Sequence, residues 1–269
     1  MQPGQFLSVP EHTGLILCSD GVRLFKSCGQ SMWPIEMAVT SLPPKIRMNA
    51  NNLLLGGVWL GPVKPDMKVI LKPIRDKIEE LNLHGVTVKT QNGTKQVRAC
   101  LFLGVFDLPA KAMATNMTQY NGRFSCTYCL DKGEHVSQCP VFLPEYAHQP
   151  RTTQSVEQCA AQALECGQPI KGVKGESVLS THINIVDAVP VDYMHTILEE
   201  VVKKLIEFST DTKHIQSDTT HMNFREHPGL SPHTVIGKLQ NSGHGYSTTQ
   251  FLFSVISYPL TMCITCHYL

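Results

Sequence analysis

A net excess of charge of either sign is nearly absent from this chain. Its 269 residues hold 23 Lys and Arg against 22 Asp and Glu, a formal net charge of +1. No overall basic field advertises nucleic-acid binding, so any such surface has to be local. Glycine motifs that cradle phosphates are missing: neither GxxxxGK[ST] nor GxGxxG occurs, which removes support for a nucleotide-binding loop. GxSxG is missing too, and with it the hydrolase nucleophile elbow. Aromatics are sparse at 7%, with Trp33 and Trp59 the only tryptophans. The start, MQPGQFLSVPEHTG, has no charged stretch leading into an apolar run, so it does not read as a signal peptide. Without secretion, disulfides are not expected, and the sequons at Asn92 and Asn116 carry no meaning.

What is present is a 42% apolar fraction, enough for a sizeable core, together with 10 cysteines and 12 histidines. The cysteines are therefore expected as thiols or metal ligands. The carboxy-terminal stretch FLFSVISYPLTMCITCHYL lacks charge and has about the length of a membrane span. Pro259, Ser254, Ser257, Thr261 and Thr265 dilute it, so it reads as a buried helix or strand, and no membrane partner is expected.

The apolar pattern divides the chain. Residues 13–18, 33–40 and 53–60 are short apolar runs closed by Ser19-Asp20-Gly21, Pro43-Pro44 and Gly61-Pro62, which predicts a three-stranded antiparallel meander. From Met67 the period changes: Ile70, Ile74, Ile78 and Leu81 predict a helix with Asp66 as its N-cap, Pro73 inside it and Gly85 ending it. Residues 97–106 (VRACLFLGVF) read as a central strand that stops at Asp107, and Pro109 opens a short helix. Residues 120–180 look like a loop-rich, Cys- and His-rich insertion. Order returns at 183–189, followed by an amphipathic helix, TILEEVVKKLIEF. No internal repeat is found. The expected division is 14–119 as the first part of a core, 120–182 as the insertion, 183–208 as a strand and helix of either, and 209–269 as a divergent, poorly ordered tail.

Two aspartates stand where chemistry is expected. Asp20 and Asp107 each end a buried apolar strand, where a carboxylate is costly unless something pairs with it. Side by side they would offer hard oxygen ligands to Mg2+ or Mn2+. The plainer alternative is a turn residue at Asp20 and a helix cap at Asp107. Cys126 and Cys129 form a CxxC that can donate two thiolates to Zn2+, with His135, Cys139, His148 or His195 as further ligands, or can be a pair of free thiols. Cys263 and Cys266, in an apolar context, read as packing. Asp192 and His195 open the last helix three residues apart; Asp192 is either its N-cap or joins His195 at one site.

These landmarks together carry a resemblance. SDGVRLFKSCGQSMWPIEMAVTSLPP, LLLGGVWLGPVKPDMKVILKPIRDKIEEL, VRACLFLGVFDLPAKAMATNM, GRFSCTYC, KGVKGESVL and VDYMH, in that order over residues 14–206, resemble the catalytic core of CACTA (En/Spm-type) DNA transposases. The resemblance implies an α/β, ribonuclease-H-like mixed sheet: three antiparallel strands, a helix and a further strand, with a Cys-rich insertion. It implies an acidic triad holding two divalent metals for DNA strand cleavage and transfer, with Asp20 as the first acid and Asp107 as the second. Cys126, Cys129, Asp192 and His195 match the family's CxxC and D-x-x-H, which support an insertion there. DNA as partner, a nuclear location and homo-oligomerisation follow from family alone.

The sequence also departs from that pattern. The family's third acid lies on a late helix, and here the last acid is Glu226. Glu199, Glu200 and Glu207 come too early. The family's DNA-binding module has no room before residue 14. The expectation is therefore a truncated or degenerate copy with an incomplete site, weak metal binding, weak DNA binding and no strand transfer. Its alternatives are a non-catalytic zinc-stabilised interaction module and a non-functional gene fragment.

Overall fold

The computed structural model describes residues 3–23, 29–136, 139–142 and 149–203. The tail beyond 203, with Glu207 and the Cys263/Cys266 pair, lies outside the described residues, as do His148 and the side chains of His135, Cys139, Glu199 and Glu200.

Period-two alternation builds the sheet. In β1 (His12–Ser19), Leu15, Leu17 and Ser19 are buried while Ile16 and Cys18 are only half-covered, so one face of the strand packs inward. A short helix, α1 (Pro3–Phe6), precedes it, and β2 (Val22–Arg23) continues its line beyond Asp20-Gly21. β3 (Ser31–Val39) pairs antiparallel with β1, with β2 and with β4 (Leu54–Gly61), and the helical turn α2 (Pro44–Arg47) lies between β3 and β4. This is the expected meander. β4 ends the sheet on that side; it carries no charged residue and leaves Leu54, Leu55, Val58 and Leu60 exposed.

Helix α3 (Met67–Leu83) follows. Asp66 caps it through its side chain on the Lys68 N–H at 2.8 Å, and Pro73 is accommodated inside it. Leu71, Ile74 and Ile78 are its buried stripe, facing Leu17, Ile35 and Leu101 of the sheet in one core. Each aliphatic side chain buried in this helix–sheet seam contributes about 1.5–3 kcal/mol. β5 (Val86–Thr90) and β6 (Gly93–Val105) form a hairpin, and β6 runs parallel to β1. The strand order is β4–β3–β1–β6–β5, a mixed α/β arrangement of antiparallel and parallel pairs.

α4 (Leu108–Ala114) turns back from β6. The segment around Val173 clamps its end: Thr118 N–H donates to Gly172 O, Lys174 N–H to Asn116 O, and Ser177 Oγ to Ala114 O. The region expected to be loop-rich holds a small hairpin, β7 (Glu134–Val136) with β8 (Cys139–Val141), and a full helix, α5 (Thr153–Cys166). A capping box between Thr152 and Ser155 starts α5, and Gly167 ends it at φ 68°. Its buried face is Val156, Cys159, Ala160 and Ala163, small residues at helical spacing that do not look like an apolar run.

The strand expected at 183–189 is absent. Ile183, Ile185, Val186 and Val189 are buried, but Asn184 turns the chain by accepting from Val186 N–H. Only Val191 pairs, in a single parallel bridge to Phe106. The last described helix, α6 (Tyr193–Val202), is wound at π spacing. Among the described residues no helix is long and apolar enough to cross a membrane.

Candidate functional site

The parallel pairing of β1 with β6 decides where the two aspartates stand. Cys18 is the last residue of the β1 register and lies opposite Val105. Asp20 and Asp107 each follow two residues later, so they leave the same edge of the sheet at the same level. Both line one cleft of about 320 Å³, together with Cys18, Ser19, Glu36, Asp192 and His195.

The turn and cap roles are real as well. Asp107 Oδ1 accepts from Ala110 N–H at 2.7 Å and caps α4, whose first turn contains Pro109. That bond fixes the carboxylate over the cleft. Burial holds Asp107 above the usual carboxylate range; the Ala110 N–H opposes that, the charge of Asp20 adds to the rise, and His195 and Lys64 pull it back. Asp20 thus acts on Asp107 as a neighbouring like charge.

Two features hold Asp20 in place. β3 keeps one register on both sides of it, Ser19 opposite Ile35 and Val22 opposite Met32, which sets Asp20 opposite Pro34. Proline has no N–H to give, so the ladder breaks at the acid. The next residue, Gly21, lies against the buried Trp33 indole: a Cβ there would sit 2.4–2.9 Å from three ring atoms. Gly21→Ala is expected to cost about 1–3 kcal/mol by overpacking. A thermal midpoint equal to that of the unmodified chain would refute this buttress.

Asp192 and His195 come to the same cleft. Gly104 N–H donates to Ala188 O at 2.9 Å, and Phe106 bridges Val191, which brings the segment beside β6 on the side away from β1. Asp192 Oδ1 accepts from Met194 N–H, and Oδ2 accepts from the N–H and the ring of His195. Burial acts to raise the Asp192 pKa, but these hydrogen bonds together outweigh it and hold the carboxyl below the ordinary range. Asp192 thus caps the helix, and both it and His195 line the cleft.

Sequence reasoning missed Glu36 and Cys18. Glu36 lies on β3 opposite Cys18, and burial, with the Glu36 charge second, pushes the Cys18 thiol up to about 11. A lone acid in the run WPIEMAV was the available signal. The carboxylates of this cleft are hard oxygen donors, the class that suits Mg2+ or Mn2+, and the Cys18 thiol and His195 imidazole line it beside them. Among the described residues no three His, Cys, Asp or Glu side chains gather closely enough around one point to hold a metal ion.

The CxxC lies elsewhere, on the turn after α4. Cys126 and Cys129 are half-buried, and Cys126 Sγ accepts from Tyr128 N–H at 3.4 Å. Burial chiefly, with Cys126 beside it, pushes the Cys129 thiol up to about 11. Two buried cations attend this turn and were invisible in the sequence. Lys111, 2% exposed, donates to Tyr128 OH at 3.2 Å and sits 4.5 Å from the ring centroid. Arg151, 4% exposed, donates to the carbonyls of Phe124, Cys126 and Lys171.

Comparison with known proteins bears on the amino-terminal half. No curated protein matches the chain. The family model described as Transposase family tnp2 matches residues 2–141, a span that contains Asp20, Asp107 and the CxxC. That span is more than half of the 269 residues, and the chain belongs to the tnp2 transposase family.

Proposed function

We propose that this chain is the catalytic domain of a CACTA (En/Spm-type) transposase built on a ribonuclease-H-like core, with Asp20 and Asp107 as a two-metal site for cutting DNA strands. The carrying observation is the β1–β6 register, which aligns the two acids at one sheet edge. The strand order β4–β3–β1–β6–β5, with β6 parallel to β1, supports the ribonuclease-H-like reading. The carboxylate oxygens of Asp20 and Asp107 fit Mg2+ or Mn2+. Bound there, the ions would activate a water or 3′-hydroxyl and stabilise the leaving oxygen of a phosphodiester. The protein's own part is positional. Ala110 N–H orients Asp107, Trp33 buttresses the Asp20-Gly21 turn, and the charge of Lys64 acts on Asp107 to lower its pKa. Membership of a transposase family implies DNA as partner.

Cys126 and Cys129 would supply two of the four ligands a structural Zn2+ needs. Their proximity favours a second reading, a zinc-stabilised interaction module without catalysis. Plasmid nicking separates the two. With Mn2+, the unmodified chain is expected to nick supercoiled DNA slowly and Asp107→Asn to leave it intact. Asn keeps a capping oxygen, so α4 survives the change. Equal nicking by both, or none by the unmodified chain, sinks the catalytic reading.

A further inference from the structure

We propose that the outer edge of β4 is the seat of a second copy of this chain: two β4 strands pair antiparallel about a two-fold axis and join the two sheets into one. The inference is independent of the chemistry at the acidic cleft.

The two outer strands of the sheet are finished differently. β5 is exposed along its whole length and carries Lys89, with Lys95 of β6 opposite its Val88. Lysine on an edge is a common guard against a further strand. β4 has no such guard. Among the described residues it pairs with β3 alone, so its outer row of N–H and C=O groups faces no strand. Residues 48–63, which span β4 and both its flanks, hold no charge. Leu54, Leu55, Val58, Leu60 and Val63 are each between 46% and 65% exposed.

A groove lies beneath the same edge. It has a volume of about 440 Å³ and runs between β4 and the Ile70, Ile74 and Ile78 side of α3. Its opening is at Gly56-Gly57, and a Cβ on Gly57 would meet nothing within 4 Å, so the fold itself does not fill that space. The only charged residue lining it is Lys77, which pairs with Glu80 at 2.7 Å. An added strand uses both features, its backbone on the edge and its alternate side chains in the groove.

The absence of charge points to this chain's own β4 as that strand. A two-fold pairing sets a strand beside itself, so any charge on it would stand near its own like. The neutral run 48–63 meets that demand from end to end. The area is sufficient too. Five side chains at about 80 Å² each give roughly 400 Å² on each copy. The backbone edge and groove walls raise this to the ~500 Å² per copy at which specific interfaces begin.

The test is sedimentation velocity of the full chain between about 1 and 100 μM, a range that spans the affinities of weak dimers. It compares the unmodified chain with Val58→Glu, Val58→Lys, an equal mixture of those two, and Val88→Glu on the other edge. Val58 is 51% exposed and Val88 40%, so each new charge reaches water in the single copy, and thermal melts check that the variants fold. The unmodified chain and Val88→Glu are expected to reach twice the 29.9 kDa of one chain. Val58→Glu and Val58→Lys, each alone, should associate about tenfold more weakly or worse, and their mixture should recover the dimer, because opposite charges then meet across the axis. A monomer throughout for the unmodified chain overturns the proposal. So does a dimer that both Val58 variants leave intact, a dimer that Val88→Glu weakens equally, or a mixture no better than its parts.

Discussion

Arg151→Leu is expected to remove about 3–5 kcal/mol from the stability of the folded chain. The guanidinium is buried and gathers three carbonyls: Cys126 O at 2.8 Å from Nε, and Phe124 O at 3.0 Å and Lys171 O at 2.8 Å from Nη2. Two of these belong to residues in the left-handed region, Phe124 at φ 55° and Lys171 at φ 45°. A side chain there is strained by about 1–3 kcal/mol and persists only where its surroundings insist on it. Gly172 completes the crossing, since a Cβ on it would lie 2.2 Å from Phe124 O. Leucine fills much of the space but leaves three buried acceptors without a donor. Urea unfolding should show a midpoint lower by roughly 2 M for a slope of about 2 kcal/mol per molar. A shift below a quarter of that would mean water replaces the guanidinium at little cost.

Lys111→Met is expected to stabilise the protein at neutral pH and to lose that advantage in alkali. Burial pulls the Lys111 amine down to about 8, against a weaker upward pull from Cys126. In the unfolded chain it titrates near 10.4. Between those values the unfolded chain binds the extra proton, so stability rises with pH across the window; below about 8 the full burial cost, about 3 kcal/mol, is present. Methionine removes that cost and forgoes the contacts with Tyr128, leaving a net gain of about 1–3 kcal/mol at pH 7. Cys18 and Cys129, both pushed up to about 11, slope the other way above pH 9, but they do so in both proteins and cancel in the comparison. Thermal melts of the two proteins at several pH values should therefore converge as pH rises from 8 to 10. Parallel curves would show that Lys111 keeps its proton in the fold as firmly as in the unfolded chain, and so bears no burial cost.

The parts of the fold legible in the sequence are those with a long, clean period. β1, β3, β4, α3 and β6 all appear where alternation or helical spacing placed them, and Asp66 and Asp107 cap the helices they precede. α5 was hidden because cysteine and alanine make up most of its buried face; the Thr152–Ser155 box was the readable sign. β5 was hidden because all five of its residues are exposed, so Val86 and Val88 mark no core. The run at 183–189 misled in the opposite sense: it is apolar because it is buried, and burial alone does not make a strand. At the site, acids at the ends of apolar runs were visible one by one. Glu36 and Asp192 joined them only through register, which depends on partners far away in the chain. The burial of Lys111 and Arg151 left no local trace at all, since a lysine among alanines reads as a solvated helix face.

The β1–β6 pairing has a further consequence for how the molecule is born. The meander of β1, β3 and β4 is local and can zip as soon as its turns exist, but Asp20 meets Asp107 only when the 86 residues between them have been closed into a loop. Such non-local contacts bear the entropy of closure before they return anything, and they form late. During synthesis the amino-terminal meander can thus be in place while the acidic cleft does not yet exist. The cleft is completed by the arrival of β6, and with Asp192 only after a further 84 residues have left the ribosome.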